Sequence, residues 1–406
     1  MTTFSLDPFL PSPDGPLRDL VLELGQKSGR LEGGLAPETK ASLVSLLRTI
    51  NSYYSNLIEG HRTHLRLIEE AVQGRIGATP GPARDLQLLH QAHVSVQDLV
   101  ERQVDQGLSI TTPAFVCGIH RELYSRLPAS MCVQATETRT RQVQFVPGEL
   151  RDDDVEVGRH VPPHHEDIPG LLGRFAQAYA PEKHQGDQKL IAAAASHHRL
   201  TWIHPFFDGN GRVARLFTHA YFMRIGLAGF GLWTVSRGLA RSVEEYKGYL
   251  AGADSPRRGD YDGRGPLSQA GLTEFCHYFL KTCIDQADFM GQMLDLPHLR
   301  RRILDYAERR SKQLLPGLKP LHPGAGRLLV EVYQAGTLRK AEVPALIGMS
   351  ERSVREIVKA LLEEGLLVAS NQKAPLRIGF PSHILEDYFP ALCYKADTIR
   401  IENRIF

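Results

Sequence analysis

Apolar positions recur at helical spacing over most of the chain. Leu43, Leu46, Leu47, Ile50, Tyr54, Leu57 and Ile58 keep to one face of a helix that begins near Pro37, the i, i+3, i+4 pattern of an amphipathic element. Gly60 stands where such a helix stops. The same periodicity predicts helices over 63–73 and 85–106, parted by the breaker-rich stretch 74–84. A helix over 112–127 follows, with Pro113 accepted in its first turn behind a Thr111-Thr112 cap. The texture then changes. Residues 139–163 alternate, with Val143 and Phe145 before Pro147-Gly148 and Val155 and Val157 after Asp152-Asp153-Asp154, which predicts one β-hairpin within a helical chain. Helical periodicity returns over 168–179, 187–202, the stretch after Gly211, and 272–293. Residues 1–35, rich in Pro, Gly and Leu, read as an irregular arm with one short helix.

Beyond the helical body, residues 298–314 form a basic helix carrying Arg300, Arg301, Arg302, Arg309, Arg310 and Lys312, read as a solvated connector. Pro316, Pro320 and Pro323 mark a linker. A separate module follows: helices over 326–334, 340–347 and 351–363, then 366–368 paired with 376–378. Helix, turn, helix and a two-stranded wing resemble a winged helix-turn-helix, with Ser350 capping a recognition helix that shows Arg352, Arg355 and Lys359. Residues 327–404 hold 11 Lys+Arg against 10 Asp+Glu. Phosphate-backbone binding is mainly electrostatic, so this balance favours protein contact or homodimer formation over DNA binding. The domain expectation is therefore a helical N-terminal region over 1–110, a core over 111–295, a basic helix and linker over 296–323, and the module over 324–406.

Composition narrows the class. With 42% hydrophobic and 23% charged residues in 406, the chain is of ordinary globular type, and its net charge of +2 calls for neither nucleic acid nor membrane. Five scattered cysteines (Cys117, Cys132, Cys276, Cys283, Cys393) lack ligand-like spacing and suit free thiols in a reducing compartment. No signal-peptide pattern is seen, and no run approaches the roughly 18 apolar residues of a membrane span. The expectation is cytoplasmic.

The chemistry concentrates in twelve residues, His204-Pro205-Phe206-Phe207-Asp208-Gly209-Asn210-Gly211-Arg212-Val213-Ala214-Arg215. Val213, Leu216, Phe217, Ala220 and Tyr221 place the glycine-rich turn at a helix N-terminus, whose free N–H groups and dipole favour an anion. Gly209, Asn210 and Gly211 can cradle phosphate oxygens, and Arg212 and Arg215 can clamp them. Asp208 is a hard ligand suited to Mg²⁺, and His204 is placed to deprotonate a hydroxyl. His197 and His198, adjacent on a helix, point about 100° apart and read as one packed and one solvated residue.

The twelve residues resemble the signature of the Fic family, His-Pro-Phe-x-(Asp/Glu)-Gly-Asn-Gly-Arg-x-x-Arg, at every specified position. The resemblance implies a mainly α, helical Fic fold with a β-hairpin flap, and a protein adenylyltransferase that moves AMP from ATP to a Ser, Thr or Tyr hydroxyl. It implies His204 as base, Asp208 as Mg²⁺ ligand, Gly209, Asn210, Gly211 and Arg212 around the phosphates, and Arg215 on the γ-phosphate. The hairpin over 139–163 becomes the flap on which the target protein docks by strand addition. Ser55, Glu59 and Gly60 are similar to the family's inhibitory helix, (Ser/Thr)-x-x-x-Glu-(Gly/Asn), which implies an ion pair between Glu59 and Arg215. Tyr246 is expected to line the nucleotide pocket, although the family's usual Asn and Arg beside it are absent. The alternatives are the reverse reaction, removal of AMP at the same site, and a nucleotide-sensing DNA-binding regulator.

Overall fold

The computed structural model describes residues 5–393 apart from 13, 78, 80, 136–141 and 159. It is built from helices: α1 (Gly15–Arg30), α2 (Pro37–Ile58), α3 (Leu65–Val72), α4 (Pro82–Asp105), α5 (Pro113–Tyr124), α6 (Ile168–Ala178), α7 (Gln188–Ile203), α8 (Asn210–Arg224), α9 (Val235–Arg241), α10 (Val243–Asp254), α11 (Gln269–Leu294), α12 (Leu296–Ser311), α13 (Ala325–Ala335), α14 (Val343–Ile347), α15 (Glu351–Glu363) and α16 (Leu385–Tyr388). At the centre lies the antiparallel pair α7 and α8. Both are buried around almost their whole circumference, which is how a helix reads when neighbours cover every face. α2, α4 and α5 pack on α8, while α6, α10 and α11 pack on α7.

Local chemistry sets the element ends. Thr112 Oγ1 accepts from Phe115 N, so Pro113 falls at the first position, where its missing N–H costs nothing. α2 ends as expected: Gly60, at φ 84°, donates to Leu57 O, and His61 N donates to Asn56 O. These two bonds form a Schellman motif. The N-terminal arm departs from expectation. α1 is a full helix of 16 residues, capped by Asp14 and packed along α11.

The hairpin also lies elsewhere than expected. β1 (Val133–Ala135) pairs antiparallel with β2 (Gln142–Gln144), so Val143 faces Gln134 rather than the 155–157 stretch. Residues 139–141 of the expected hairpin fall outside the described residues. The Pro147-Gly148 turn cannot return a strand, because it is docked on α5: Gly148 N donates to His120 Nδ1 at 2.8 Å, and a Cβ at Gly148 would lie 2.7 Å from the Arg121 side chain. Beyond it the chain runs irregularly, with Val157 and His160 forming an isolated bridge.

α12 is not a solvated connector. Leu299, Ile303, Tyr306, Ala307 and Arg310 are buried. Arg310 bonds to Tyr306 Oη at 2.6 Å and to Glu364 at 2.8 Å. The stretch after it contains α13, α14, α15 and the pair β3 (Leu367–Val368) and β4 (Arg377–Ile378), with Leu367 opposite Ile378. Ser350 caps α15 by accepting from Ser353 N. This region clasps the inner body at two points of α2: Thr39 Oγ1 donates to Tyr333 O, and Tyr54 Oη donates to Leu392 O. Among the described residues, no helix is long and apolar enough to cross a membrane.

Candidate active site

The site forms where α7 turns into α8. His204 ends α7 in the left-handed region, φ 48° and ψ 60°, a conformation that costs a non-glycine residue about 1 kcal/mol. The turn is held from outside by Arg151. Its N–H donates to Pro205 O and its Nε to His204 O, both at 2.9 Å. Its other nitrogens reach Asp153 O and Pro163 O. One buried guanidinium thus fastens the loop behind the hairpin to the His204 turn. Sequence reasoning missed Arg151, for which no local periodicity or spacing is a signal.

Asn210 does a different job from the expected cradle contact. Its Oδ1 accepts from Phe206 N at 3.0 Å and its Nδ2 donates to Phe206 O at 2.7 Å. The side chain therefore shapes the loop instead of facing out of it. Gly209 carries φ 81° at the N-cap of α8, and a Cβ there would come within 2.6 Å of the Tyr124 ring. Gly211 opens the first turn of α8 toward α2: a Cβ would lie 2.3 Å from Glu59 Oε1 and 2.9 Å from Arg215 Nη1. The two glycines are required by close approach, one of a ring and the other of a carboxylate.

Asp208 is gripped on one oxygen. Oδ2 accepts from Tyr124 Oη at 2.5 Å and from Arg212 Nη2 at 2.9 Å, and Arg212 Nη2 also reaches Tyr124 Oη at 2.7 Å. Burial pushes the Asp208 carboxyl up, but Arg212, Tyr124 and the Gly209 N–H together hold it below its ordinary value. With 38% of its side chain exposed, the carboxylate also faces the open side of the loop. Behind it, His120 stacks on Phe206 with centroids 4.0 Å apart. Since Gly148 N donates to Nδ1, the ring hydrogen is on Nε2 and donates to Asp208 O at 3.2 Å. Burial pushes this imidazole down to about 4. His120 and Tyr124 were also missed, yet they stand four apart on one face of α5, and that spacing was a readable signal.

Arg215 is enclosed, its side chain 1% exposed. Its Nη2 donates to Glu59 Oε1 at 2.5 Å and to Ser55 O at 2.9 Å, and Nε donates to Ser55 Oγ at 2.9 Å. The structure therefore contains the expected Glu59–Arg215 pair, with Ser55 completing the grip. Glu59 keeps 32% of its side chain exposed, but the carboxylate end points inward against Gly211 and Arg215. Burial there raises its pKa, and Arg215 and Arg212 outweigh this, leaving the carboxyl below its ordinary value.

Two expectations need correction. Tyr246 is 3% exposed and does not offer an open wall. Its Oη meets His197 Nε2 at 2.7 Å, and His197 Nδ1 meets Thr218 Oγ1 at 2.7 Å, in the core behind Arg215. Neither His197 nor His198 is solvated; both are fully buried, because α7 is covered on all faces. On α15, Arg352, Arg355 and Lys359 each pair with a glutamate four residues away, Glu356, Glu351 and Glu363. That leaves little unpaired positive charge for a phosphate backbone.

His204 completes the site. Burial of the ring, followed by the neighbouring His160 and Arg151, pushes it down to about 3. The imidazole is therefore neutral across the ordinary pH range, as a general base must be.

Residues 110–222 match the model of the Fic/DOC family. A protein of Nematostella vectensis described as protein adenylyltransferase Fic is 29% identical over 218 residues, which cover 52% of this chain and 46% of that relative. The chain thus spans about half the length of that relative. A solved structure of a Fic family protein from Desulfovibrio desulfuricans G20 superposes with a TM-score of 0.50 at 18% identity, covering 90% of this chain and 97% of that one. A Fic domain containing signaling protein from Bacteroides thetaiotaomicron VPI-5482 gives 0.51 at 18% identity, over 67% and 95%. These two likenesses concern the fold alone. The segment that matches the Fic/DOC family model contains His204, Asp208, Arg212 and Arg215.

Proposed function

We propose that this protein is an adenylyltransferase that moves AMP from ATP to a Ser, Thr or Tyr hydroxyl of a target protein, and that Glu59 holds it inactive. The observation that carries the reading is the placement of a carboxylate, Glu59, on the Gly211 end of α8 and on Arg215. A site that binds a side-chain anion at a helix N-terminus between two guanidiniums is built to take phosphate.

In the active arrangement the backbone around Gly209–Gly211, with Arg212 and Arg215, holds the polyphosphate. The target oxygen bonds to the α-phosphorus, the bond to pyrophosphate breaks, and His204 takes the hydroxyl proton. Asp208 would hold a Mg²⁺ ion together with the nucleotide's own oxygens, since that ion is commonly bound by one or two carboxylates plus phosphates. Such an ion supplies charge neutralisation for the phosphates. The edge of β2 is the surface on which an extended segment of the target would add as a strand.

The test is incubation with labelled ATP of the parent, Glu59→Gly, and Glu59→Gly with His204→Ala. The single variant should label itself or lysate proteins more than the parent does, and the double variant should bind ATP without transfer. Equal labelling by parent and Glu59→Gly refutes the inhibitory role, and labelling by the double variant refutes the base.

A further inference from the structure

A second cluster of titratable groups lies on the side of His204 away from the phosphate clamp. Resting on the transferase reading above, we propose that His160, clamped by Asp254, is a positioning residue that orients His204 and fastens the chain after the hairpin for transfer to the target hydroxyl.

The bonds define a directed chain. Arg199 is fully buried and donates to the carbonyls of Leu6 and Pro8 in the N-terminal arm. Its Nη1 also donates to His198 Nδ1 at 2.8 Å. His198 therefore carries its hydrogen on Nε2, which points to Asp254 Oδ1 at 2.9 Å. The other oxygen, Oδ2, faces His160 Nδ1 at 3.1 Å. The remaining nitrogen of His160, Nε2, lies 3.0 Å from Trp202 O in the last turn of α7. That carbonyl can only accept, and so can the carboxylate. Both bonds of His160 are made together only when the ring carries two hydrogens and a positive charge.

The result is a cation bolted to α7, two residues before His204, and to α10 through Asp254. Its ring centroid lies 6.2 Å from that of His204. The backbone of His160 exchanges two bonds with Val157, so the clamp extends into the loop after the hairpin. Burial raises the Asp254 carboxyl, yet the two histidines hold it far below the ordinary range, as expected of a carboxylate serving both.

The charged and titratable groups facing this pair are few. Asp254 comes from α10, His198 and Arg199 from α7, and His204 is the neighbouring ring. Arg151 and Asp208 also act on His204. None of the groups of the Glu59–Arg215 clamp touches His160. Loss of His160 should therefore change transfer and leave nucleotide binding alone, a split that a merely structural role would not produce.

The experiment uses the full chain with Glu59→Gly, alone and with His160→Phe, His160→Gln or Asp254→Asn. Histidine NMR titration is recorded with no nucleotide present, ATP affinity is measured, and single-turnover AMP transfer is followed against pH. In His160→Phe the His204 titration should move up by about one pH unit, as expected for removing a unit charge at this distance. Transfer should fall at least about tenfold, with ATP affinity within about twofold of the parent. His160→Gln gives the same readings should the phenylalanine variant not fold, and Asp254→Asn, which keeps the ring but frees it, should lower transfer with ATP affinity unchanged. An unmoved His204 titration overturns the proposal even if the parent transfers no AMP, an outcome that would separately refute the transferase reading. Equal loss of ATP affinity and transfer also overturns it, since that marks a structural role.

Discussion

Glu59→Gln tests the central contact with the smallest change of shape. In the parent the carboxylate meets Arg215 Nη2 at 2.5 Å, and Ser55 holds the guanidinium through its hydroxyl and its carbonyl. Unit charges about 4 Å apart interact by roughly 4 kcal/mol at an effective dielectric of about 20. One third of the Glu59 side chain is in water, so the net value of the pair is smaller, about 2 kcal/mol. Replacing it with an amide leaves Arg215 buried beside a neutral group. The variant should therefore melt roughly 2–3 °C below the parent without nucleotide. ATP should then bind about 30-fold more tightly, because the same 2 kcal/mol no longer has to be overcome. Thermal melts with and without MgATP, with affinity by calorimetry, read both effects. The two changes must occur together. A variant with the parent's melting temperature and an ATP affinity within threefold refutes the view that Glu59 and phosphate compete for Arg215.

The other predictions concern groups around the same site. Gly211→Ala places a Cβ 2.3 Å from Glu59 Oε1, so the carboxylate must leave, and adding Glu59→Gln should then change stability by less than about 1 kcal/mol in a double-mutant cycle. Tyr124→Phe removes the donor to Asp208 and an acceptor of Arg212; it should cost about 1.5–3 kcal/mol in urea melts and weaken MgATP binding about tenfold. Glu101, bonded to Arg48 and His219, has its carboxyl raised by burial and lowered further by these partners, to a net value of about 2. A depressed carboxyl contributes stability above its ordinary pKa of about 4.5 and loses it as pH falls toward 2. Glu101→Gln should therefore cost about 2–4 kcal/mol at pH 7, and the gap from the parent should close between pH 4.5 and 2.

How far the chain can be read from its letters depends on the range of the interactions. α2 shows a periodic apolar face and a terminal glycine, and both the helix and its end stand where that pattern puts them. α7 and α8 are buried on every side, so the polar stripe that would orient them is missing. This is why one of His197 and His198 reads as solvated. Pairings distant in sequence leave no local trace. Tyr124 meets Asp208, and Arg151 meets His204, across 84 and 53 positions. The hairpin slipped for a related reason: alternation locates strands but not partners, and the Gly148 turn is taken up by α5. Helix α12 misled through its arginines, whose long stems can cover apolar surface while the helix packs beneath them.

The charge pattern at the head of α8 explains why these residues belong together. Arg212 and Arg215 sit in the first turns of a helix with no acidic residue in its first turn, where the dipole disfavours cations. Both are almost wholly enclosed. Two buried guanidiniums at a positive helix end are tolerable only with anions brought from elsewhere, and two arrive. Asp208 comes from the loop and binds Arg212; Glu59 comes from α2 and binds Arg215. Asp208 is tied down by Tyr124 and the loop itself, whereas Glu59 sits on the last turn of a helix that ends one residue before it. Of the two anions only Glu59 can leave without dismantling the loop. Its departure strips Arg215 of a counter-charge in a buried place, so the vacated position favours an incoming anion by the same electrostatics that held the carboxylate. The site's demand for phosphate and its occupation by Glu59 thus have one cause, and a variant that weakens one without strengthening the other would contradict it.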